Sequence, residues 1–286
     1  MKTKLLVFST LILWTCQAFA GLLNAGQGLS AGEMLYSNNG NYFAVMQGDG
    51  NFVVYTSAGK ALWSTNTIGS GADWAVMQED GNFVLYNKSQ GRAIWSSNTA
   101  YNKPAYAAIT DYGQWIVFRV DPIWSSNTSD HSNPVGANAA VIGPDGYLDK
   151  EKVFSAGKYN FVFQADGNLV LYSPLGATWS SATTGRAKFA YLQMGVVFFH
   201  DKNGSIYLSI PTLSASQMSN YTITEQRSTY LALQADGNLV TYTPKRVFVS
   251  YSPYAPPDGH QSKGPSCYGP PDACFGSTLP IYKYTW

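Results

Sequence analysis

Residues 47–55, Gln-Gly-Asp-Gly-Asn-Phe-Val-Val-Tyr, decide the fold of this 286-residue chain. The pattern Gln-x-Asp-Gly-Asn-Φ-Val-x-Tyr, where Φ is Phe or Leu, recurs at residues 78–86, 164–172 and 234–242. Each copy keeps Gln, Asp, Asn, Val and Tyr at alternate positions, and alternate side chains of a strand lie on one face. The sequence therefore presents the same mostly polar surface four times, which suits a neutral polyol such as a sugar.

The Asp-Gly pair in the middle of each copy predicts a β-hairpin, because it separates two short apolar runs and glycine tolerates positive φ. Eight extended steps of ~3.3 Å would place Gln47 roughly 26 Å from Tyr55, which is longer than one hexose. A turn at Asp49 and Gly50 brings the Gln and Tyr side chains to one ligand. We expect Asp and Asn near the tip and Val as the floor.

A second phrase, Trp-Ser-Ser/Thr-Asn-Thr, begins at Trp63, Trp95 and Trp124, and a variant with Ala in place of Asn begins at Trp179. The first two nine-residue copies start 31 residues apart, and each half of the chain has room for a third unit. Both halves contain one decayed unit. In the first half its pattern positions hold Thr110, Tyr112, Gln114, Ile116 and Phe118; in the second half a shortened copy starts at Gln193 and lacks Asp and Asn. We expect these two faces to be structural.

This pattern resembles the bulb-type (monocot mannose-binding) lectin family, whose motif is Gln-x-Asp-x-Asn-x-Val-x-Tyr, over about residues 21–250. The resemblance implies an all-β chain with two tandem β-prism II domains, each of three antiparallel four-stranded sheets with pseudo-threefold symmetry. It also implies that Asp and Asn address the axial 2-hydroxyl of mannose, Gln the 3-hydroxyl and Tyr the 4-hydroxyl. The candidate carbohydrate-binding residues are Gln47, Asp49, Asn51, Val53, Tyr55, Gln78, Asp80, Asn82, Val84, Tyr86, Gln164, Asp166, Asn168, Val170, Tyr172, Gln234, Asp236, Asn238, Val240 and Tyr242.

The residue types fit this chemistry. A carboxylate accepts strong charge-assisted hydrogen bonds, and amides both donate and accept. A few net hydrogen bonds of ~1 kcal/mol each leave a single site with a dissociation constant of about 1 mM, whereas several sites acting together gain a factor of roughly 10² to 10⁴. We therefore expect multivalent binding or crosslinking of mannose-containing glycans or glycoproteins, with a homo-oligomer left open.

Aromatic residues that recur at equivalent positions of the units predict the packing of each domain. We expect Trp63, Trp95 and Trp124 to form the central packing of the first domain. In the second half we expect Trp179 and Tyr207 at the equivalent places, with the third place near residues 249–251.

Residues 1–20 are typical of a secretory signal peptide: Lys2 and Lys4 precede an apolar run, and Ala18-Phe19-Ala20 is typical of a cleavage site. The predicted lectin domains cover residues 21–130 and 131–250, with a polar boundary near residues 129–137. Residues 251–286 form a Pro-, Gly- and Tyr-rich tail.

The tail contains Cys267 and Cys274, for which an intrachain disulfide is the first expectation and intermolecular pairing the second. The resemblance further suggests that residues 279–286 exchange as a strand between neighbouring domains.

Several functions do not fit the composition. The net charge is +1 and only 12% of residues are charged, so the basic stripe of a nucleic-acid-binding protein is missing. The sequence indicates no membrane insertion, no cofactor and no metal cluster. Its three histidines, His131, His200 and His260, show no catalytic spacing, so we expect no enzyme. Two alternatives stay open: a lectin-like bacteriocin with tandem lectin domains, and a secreted structural or adhesive mucus protein that uses the prism as a scaffold.

Overall fold

The computed structural model describes residues 21–131, 140–142 and 145–250. The predicted signal peptide, most of the boundary stretch and the tail with its two cysteines lie outside the described residues, as does the suggested exchange of residues 279–286. The described chain is all-β, as predicted, with two short helices, α1 (Ala215–Met218) and α2 (Ile223–Arg227). Across residues 21–131, 140–142 and 145–250, none of the helices has the length and apolar character needed to cross a membrane.

Within residues 21–131, 140–142 and 145–250, every pairing between named strands is antiparallel. In the first half they are β1 (Leu22–Asn24), β2 (Gly28–Ser30), β3 (Met34–Tyr36), β4 (Tyr42–Met46), β5 (Phe52–Thr56), β6 (Ala61–Ser64), β7 (Trp74–Met77), β8 (Phe83–Asn87), β9 (Arg92–Ser96), β10 (Ala105–Ile109) and β11 (Trp115–Ser125). In the second half they are β12 (Ala140–Ile142), β13 (Asp145–Leu148), β14 (Val153–Ala156), β15 (Tyr159–Phe163), β16 (Leu169–Ser173), β17 (Gly176–Ser180), β18 (Phe189–Gln193), β19 (Val196–His200), β20 (Ile206–Ile210), β21 (Tyr230–Leu233) and β22 (Leu239–Val249).

These strands build two three-sheet units. The first unit has four-stranded sheets of order β3-β4-β5-β6 and β2-β7-β8-β9, and the second has β14-β15-β16-β17 and β13-β18-β19-β20. The third sheets of the two units are joined into one six-stranded sheet of order β1-β10-β11-β22-β21-β12. Each unit is therefore a β-prism, and the two prisms share one continuous sheet.

Each nine-residue copy forms the predicted hairpin. In the first copy the Gln47 N–H donates to the Asn51 carbonyl at 2.8 Å, and the Gly50 N–H donates to the Gln47 carbonyl at 3.1 Å. Gly50 has φ +92°, and a Cβ there would lie 2.9 Å from the Ser70 hydroxyl oxygen. This turn needs glycine both for its backbone conformation and for its contact with the following loop.

The joined sheet arises because the long strands β11 and β22 cross from one prism to the other. Near its start β11 pairs with the end of β22, as in Val117 opposite Phe248. After two register shifts the end of β11 pairs with the start of β22, as in Trp124 opposite Thr241. Each prism therefore receives the outer strand of its third sheet from the other half of the sequence. The predicted domain boundary near residue 130 stays a prediction. In the structure, β11 lies before this boundary and β22 after it, and the two strands pair in both prisms.

This exchange of edge strands between the prisms, by β11 and β22, changes the predicted aromatic packing. Trp63 and Trp95 pack together as expected, with ring centroids 6.0 Å apart. Their third partner is Phe248, whose ring lies 6.0 Å from Trp63 and 5.8 Å from Trp95. Trp124 instead packs on the second core, 6.4 Å from Trp179. The prediction that Trp124 joins the central packing of the first prism was wrong, because the end of β11 pairs with the start of β22 beside the second core.

The second prism thus obtains its third aromatic place from Trp124. The sequence suggested residues 249–251 for this place; Val249 is not part of that core, and residue 251 lies outside the described residues. Tyr207 packs against the same core, as predicted. The Arg186 guanidinium lies over the Tyr207 ring at 4.0 Å from its centroid. Deeper in the first prism, Phe52, Phe83 and Trp115 form a second aromatic layer that is fully buried.

Replacing Phe248 tests the exchange of edge strands between the prisms. Phe248→Ala should lower the free energy of unfolding by about 2 kcal/mol, because a partly buried ring is lost from a core. Hydrogen exchange should accelerate in β6 and β9 of the first prism, far away in sequence, and not in β17 of the second. Val249→Ala is the matched control, since Val249 is 40% exposed. Equal effects of the two substitutions, or faster hydrogen exchange in β17 alone, would contradict the packing of the β22 end against the first prism.

Candidate carbohydrate-binding sites

Each hairpin brings its Gln and Tyr side chains together above the Val floor. The Gln side-chain N–H₂ donates to the Tyr hydroxyl oxygen at 3.0 Å for Gln47 and Tyr55, and the bond is equally short in the second and third copies. The carboxamide therefore lies across the face, with its oxygen Oε1 still able to accept. The tyrosine oxygen already accepts one bond, so its proton is the group it can offer to a ligand.

The aspartate of each copy is fixed by its own turn. Its Oδ1 accepts the backbone N–H of the Asn two residues later, at 3.0 Å for Asp49, 2.9 Å for Asp80 and 2.9 Å for Asp166. Such an Asx turn holds the carboxylate plane in place without using Oδ2. In these three copies Oδ2 is left as an acceptor at the tip of the site.

The asparagine of each of the first three copies is anchored by the Trp-Ser phrase that follows it, whereas Asn238 of the fourth copy is anchored by Ser126 and Thr128 of the phrase that begins at Trp124. Asn51 Oδ1 accepts from the Thr65 hydroxyl and from the Thr67 backbone N–H, both at 3.1 Å. Asn82 and Asn168 are held in the same way, by Ser97 with Thr99 and by Ser181 with Thr183. With the oxygen engaged, Nδ2 is the remaining donor of each asparagine; Asn168 Nδ2 also donates to the Ser180 hydroxyl at 3.3 Å, and Asn51 as a whole is 5% exposed. Sequence reasoning missed this role, although the nearly constant spacing between the two phrases signals it.

The phrase itself depends on one left-handed residue. Its fourth position has φ +56° at Asn66, +56° at Asn98 and +55° at Asn127, and +56° at Ala182. Asparagine tolerates this conformation better than other side chains, whereas alanine is strained in it. The third site is therefore supported by a less favourable loop than the first two.

The accessibility of the four copies differs. In the first three, the Gln and Tyr are partly exposed and the Val is buried beneath them. In the fourth, Gln234 is 4% exposed, Asp236 4% and Tyr242 3%. Burial raises the pKa of the Tyr242 phenol above its ordinary value. The expectation of a sugar site at Gln234, Asp236, Asn238, Val240 and Tyr242 therefore needs correction, because this face is closed.

The closure has a physical cause in the decayed unit of the first half. Ile116 and Phe118, which stand at the Val and Tyr positions of that unit, share one buried cluster with Val240 and Tyr242. The polar groups of the fourth copy are satisfied within the protein. Asp236 Oδ2, the oxygen left open elsewhere, accepts from the Ser129 hydroxyl at 2.7 Å. The fourth copy serves as an interface between the prisms.

The two decayed units have local structural contacts. In the first, Asp111 Oδ1 accepts the Asn39 backbone N–H at 2.9 Å. In the second, His200 occupies the place of the motif tyrosine and stacks on Phe189 with ring centroids 4.3 Å apart. Over residues 21–131, 140–142 and 145–250, no group of three or more His, Cys, Asp or Glu side chains is arranged to hold a metal ion.

No protein-family model matches the sequence, and no curated protein does. Among solved structures, the snowdrop (Galanthus nivalis) mannose-specific agglutinin complexed with methyl-α-D-mannoside is 33% identical, over 40% of this chain and 99% of that chain, with a TM-score of 0.33. A fetuin-binding two-domain lectin from Scilla campanulata is 21% identical, over 81% of this chain and 100% of that chain, with a TM-score of 0.46. A lectin from Allium sativum is 33% identical, over 34% of this chain and 91% of that chain, with a TM-score of 0.30. All three TM-scores lie below 0.5, so the fold is defined here by the strand pairing.

The left-handed position of the phrase can be tested by substitution. Ala182→Asn should raise the free energy of unfolding by about 1 kcal/mol, because asparagine relieves the strain of positive φ. The reverse change at the equivalent place, Asn66→Ala, should lower it by a similar amount. Chemical denaturation of both variants beside the parent measures the two effects. Identical midpoints for all three proteins would show that this residue does not limit the loop.

Proposed function

We propose that this protein is a non-enzymatic, secreted lectin of the bulb-type family that binds mannose-type glycans at three sites. The observation that supports this most is the repeated geometry of the first three copies. In each, a Gln–Tyr hydrogen bond, an anchored Asp and an anchored Asn surround a buried Val on an open face.

The groups left over at each open site complement a vicinal diol. Asp Oδ2 and Gln Oε1 accept, while Asn Nδ2 and the Tyr hydroxyl donate. A sugar hydroxyl both donates and accepts, so two neighbouring hydroxyls can satisfy all four groups. The Val side chain supplies an apolar contact for the C–H groups of the ring. The assignment to mannose, with its axial 2-hydroxyl at Asp and Asn, is taken from the family resemblance.

The placement of the open sites favours crosslinking. The first two lie on the outer faces of two different sheets of one prism, around a single core, and the third lies on β15 and β16 of the other prism. Sites on separate faces of a prism meet different branches or different glycans. Weak individual sites then act together through avidity. Glycoproteins at cell surfaces are the partners we propose, and secretion is inferred from residues 1–20.

Conservative changes of the motif aspartates test both the function and the number of sites. The combined variant Asp49→Asn, Asp80→Asn and Asp166→Asn should lose binding of methyl α-mannoside at least tenfold, because the acceptor Oδ2 becomes a donor. Isothermal titration calorimetry of the parent, without residues 1–20, should give three sites per chain.

Asp236→Asn is the matched control and should leave the affinity and the stoichiometry as in the parent, since the fourth copy is buried. A stoichiometry of four, with one site lost in Asp236→Asn, would show that the fourth copy opens in solution. A folded parent that binds no sugar would refute the lectin proposal itself.

A further inference from the structure

We propose that the residue opposite the motif tyrosine decides whether each open site holds a second sugar ring. Phe43 and Trp74 form stacking subsites at the first and second sites, whereas Asn160 leaves the third site without one. This inference rests on the proposed lectin function and concerns what each site accepts beyond its first sugar.

The strand register places these residues next to the sites. Phe43 lies directly opposite Tyr55, Trp74 opposite Tyr86, and Asn160 opposite Tyr172. Directly opposed residues of an antiparallel pair lie on the same face, with Cβ atoms about 4.5–5.5 Å apart. A ligand that extends past the tyrosine end of a site, towards the neighbouring strand, therefore meets this residue first.

At the first site the neighbouring surface is aromatic over two strands. The Phe43 ring stacks on Tyr55 at 5.3 Å and 21°. The next residue in the row is Tyr36, which lies opposite Phe43, 5.7 Å from it, and is 38% exposed. Phe43 is partly exposed and is not a member of the buried core of the first prism. This row is available to the C–H face of a pyranose ring.

At the second site the aromatic surface is shorter and carries a cation. The Trp74 ring lies 6.1 Å from Tyr86, and the Lys88 ammonium lies 4.8 Å from the centre of the Trp74 ring. The next residue in the row is Ser30, which extends no aromatic surface. A second ring must compete with the lysine for the indole, so the gain from stacking should be smaller here than at the first site.

At the third site the row is polar. Asn160 is exposed and accepts a hydrogen bond from the Ser155 hydroxyl at 2.7 Å, and Ser155 lies directly opposite it. Neither side chain offers an apolar face. The three open sites, which share their first-sugar groups, thus differ in the surface that a second sugar would contact.

Single-site proteins separate these contributions. Asp80→Asn with Asp166→Asn keeps only the first site, and Asp49→Asn with Asp80→Asn keeps only the third. The probes are methyl α-mannoside and the α1-2, α1-3 and α1-6 mannobioses, measured by calorimetry. We expect the best disaccharide to bind about threefold to tenfold more tightly than the monosaccharide at the first site, as one aromatic contact allows. At the third site the ratio should be about one.

Exchanging the two residues completes the test. Phe43→Asn in the first-site protein should reduce the ratio to about one, and Asn160→Phe in the third-site protein should raise it at least threefold. The second variant keeps the test valid if the first does not fold, since Asn160 is exposed. Equal ratios at the first and third sites, or a ratio at the third site that Asn160→Phe does not raise, would overturn the inference. Failure of every site to bind the monosaccharide would instead refute the lectin proposal.

Discussion

The pairing of β11 with β22 is the constraint on which the rest of the structure depends. These two long strands form one antiparallel ladder that joins the third sheets of both prisms. The ladder delivers Phe248 to the first prism and Trp124 to the second. It also brings the outer face of the decayed first-half unit against the fourth copy of the motif, which buries that copy. One pairing therefore determines the aromatic packing, the attachment of the prisms and the number of open sites.

Polar contacts reinforce the crossover. The Arg119 guanidinium donates to Asp121 on the same strand, at 2.9 Å from Nη2 to Oδ2, and the Tyr221 hydroxyl donates to the same carboxylate at 2.9 Å. Burial, together with this hydrogen bond, raises the pKa of Tyr221 to about 12. Beside it, Arg246 of β22 approaches Glu225 of helix α2. The short helical segment between β20 and β21 therefore contacts both crossing strands: Tyr221 bonds to Asp121 of β11, and Glu225 pairs with Arg246 of β22.

In the open copies, one motif combines groups that hold the fold with groups that remain for the proposed ligand. Half of its polar groups are used internally: Asp Oδ1 in the turn, Asn Oδ1 on the Trp-Ser phrase, and the Gln N–H₂ on the tyrosine. The other half keeps hydrogen-bonding capacity in a fixed arrangement, with the Gln and Tyr side chains of the first three copies partly exposed. Because these side chains are already held in place, the proposed binding of a sugar would cost little conformational entropy. These internal hydrogen bonds also keep the motif folded in the fourth copy, where the Ser129 hydroxyl donates to the Asp236 oxygen that is open in the other copies.

The sequence by itself determined the hairpins, the three-unit halves, the all-β class and the composition of each site, because these follow from patterns within nine residues and from their repetition. It also identified Tyr207 as a packing residue of the second prism. Only the tertiary structure decided where Trp124 packs, which residue completes the first aromatic cluster, and that the fourth copy is closed. The reason is physical: the partners of the end of β11 lie more than a hundred residues away, as in the hydrogen bond of Ser125 to Asn238, which are 113 residues apart. The fourth copy has the same local pattern as the open copies, and it is buried because Ile116 and Phe118 of the remote strand β11 pack against its Val240 and Tyr242.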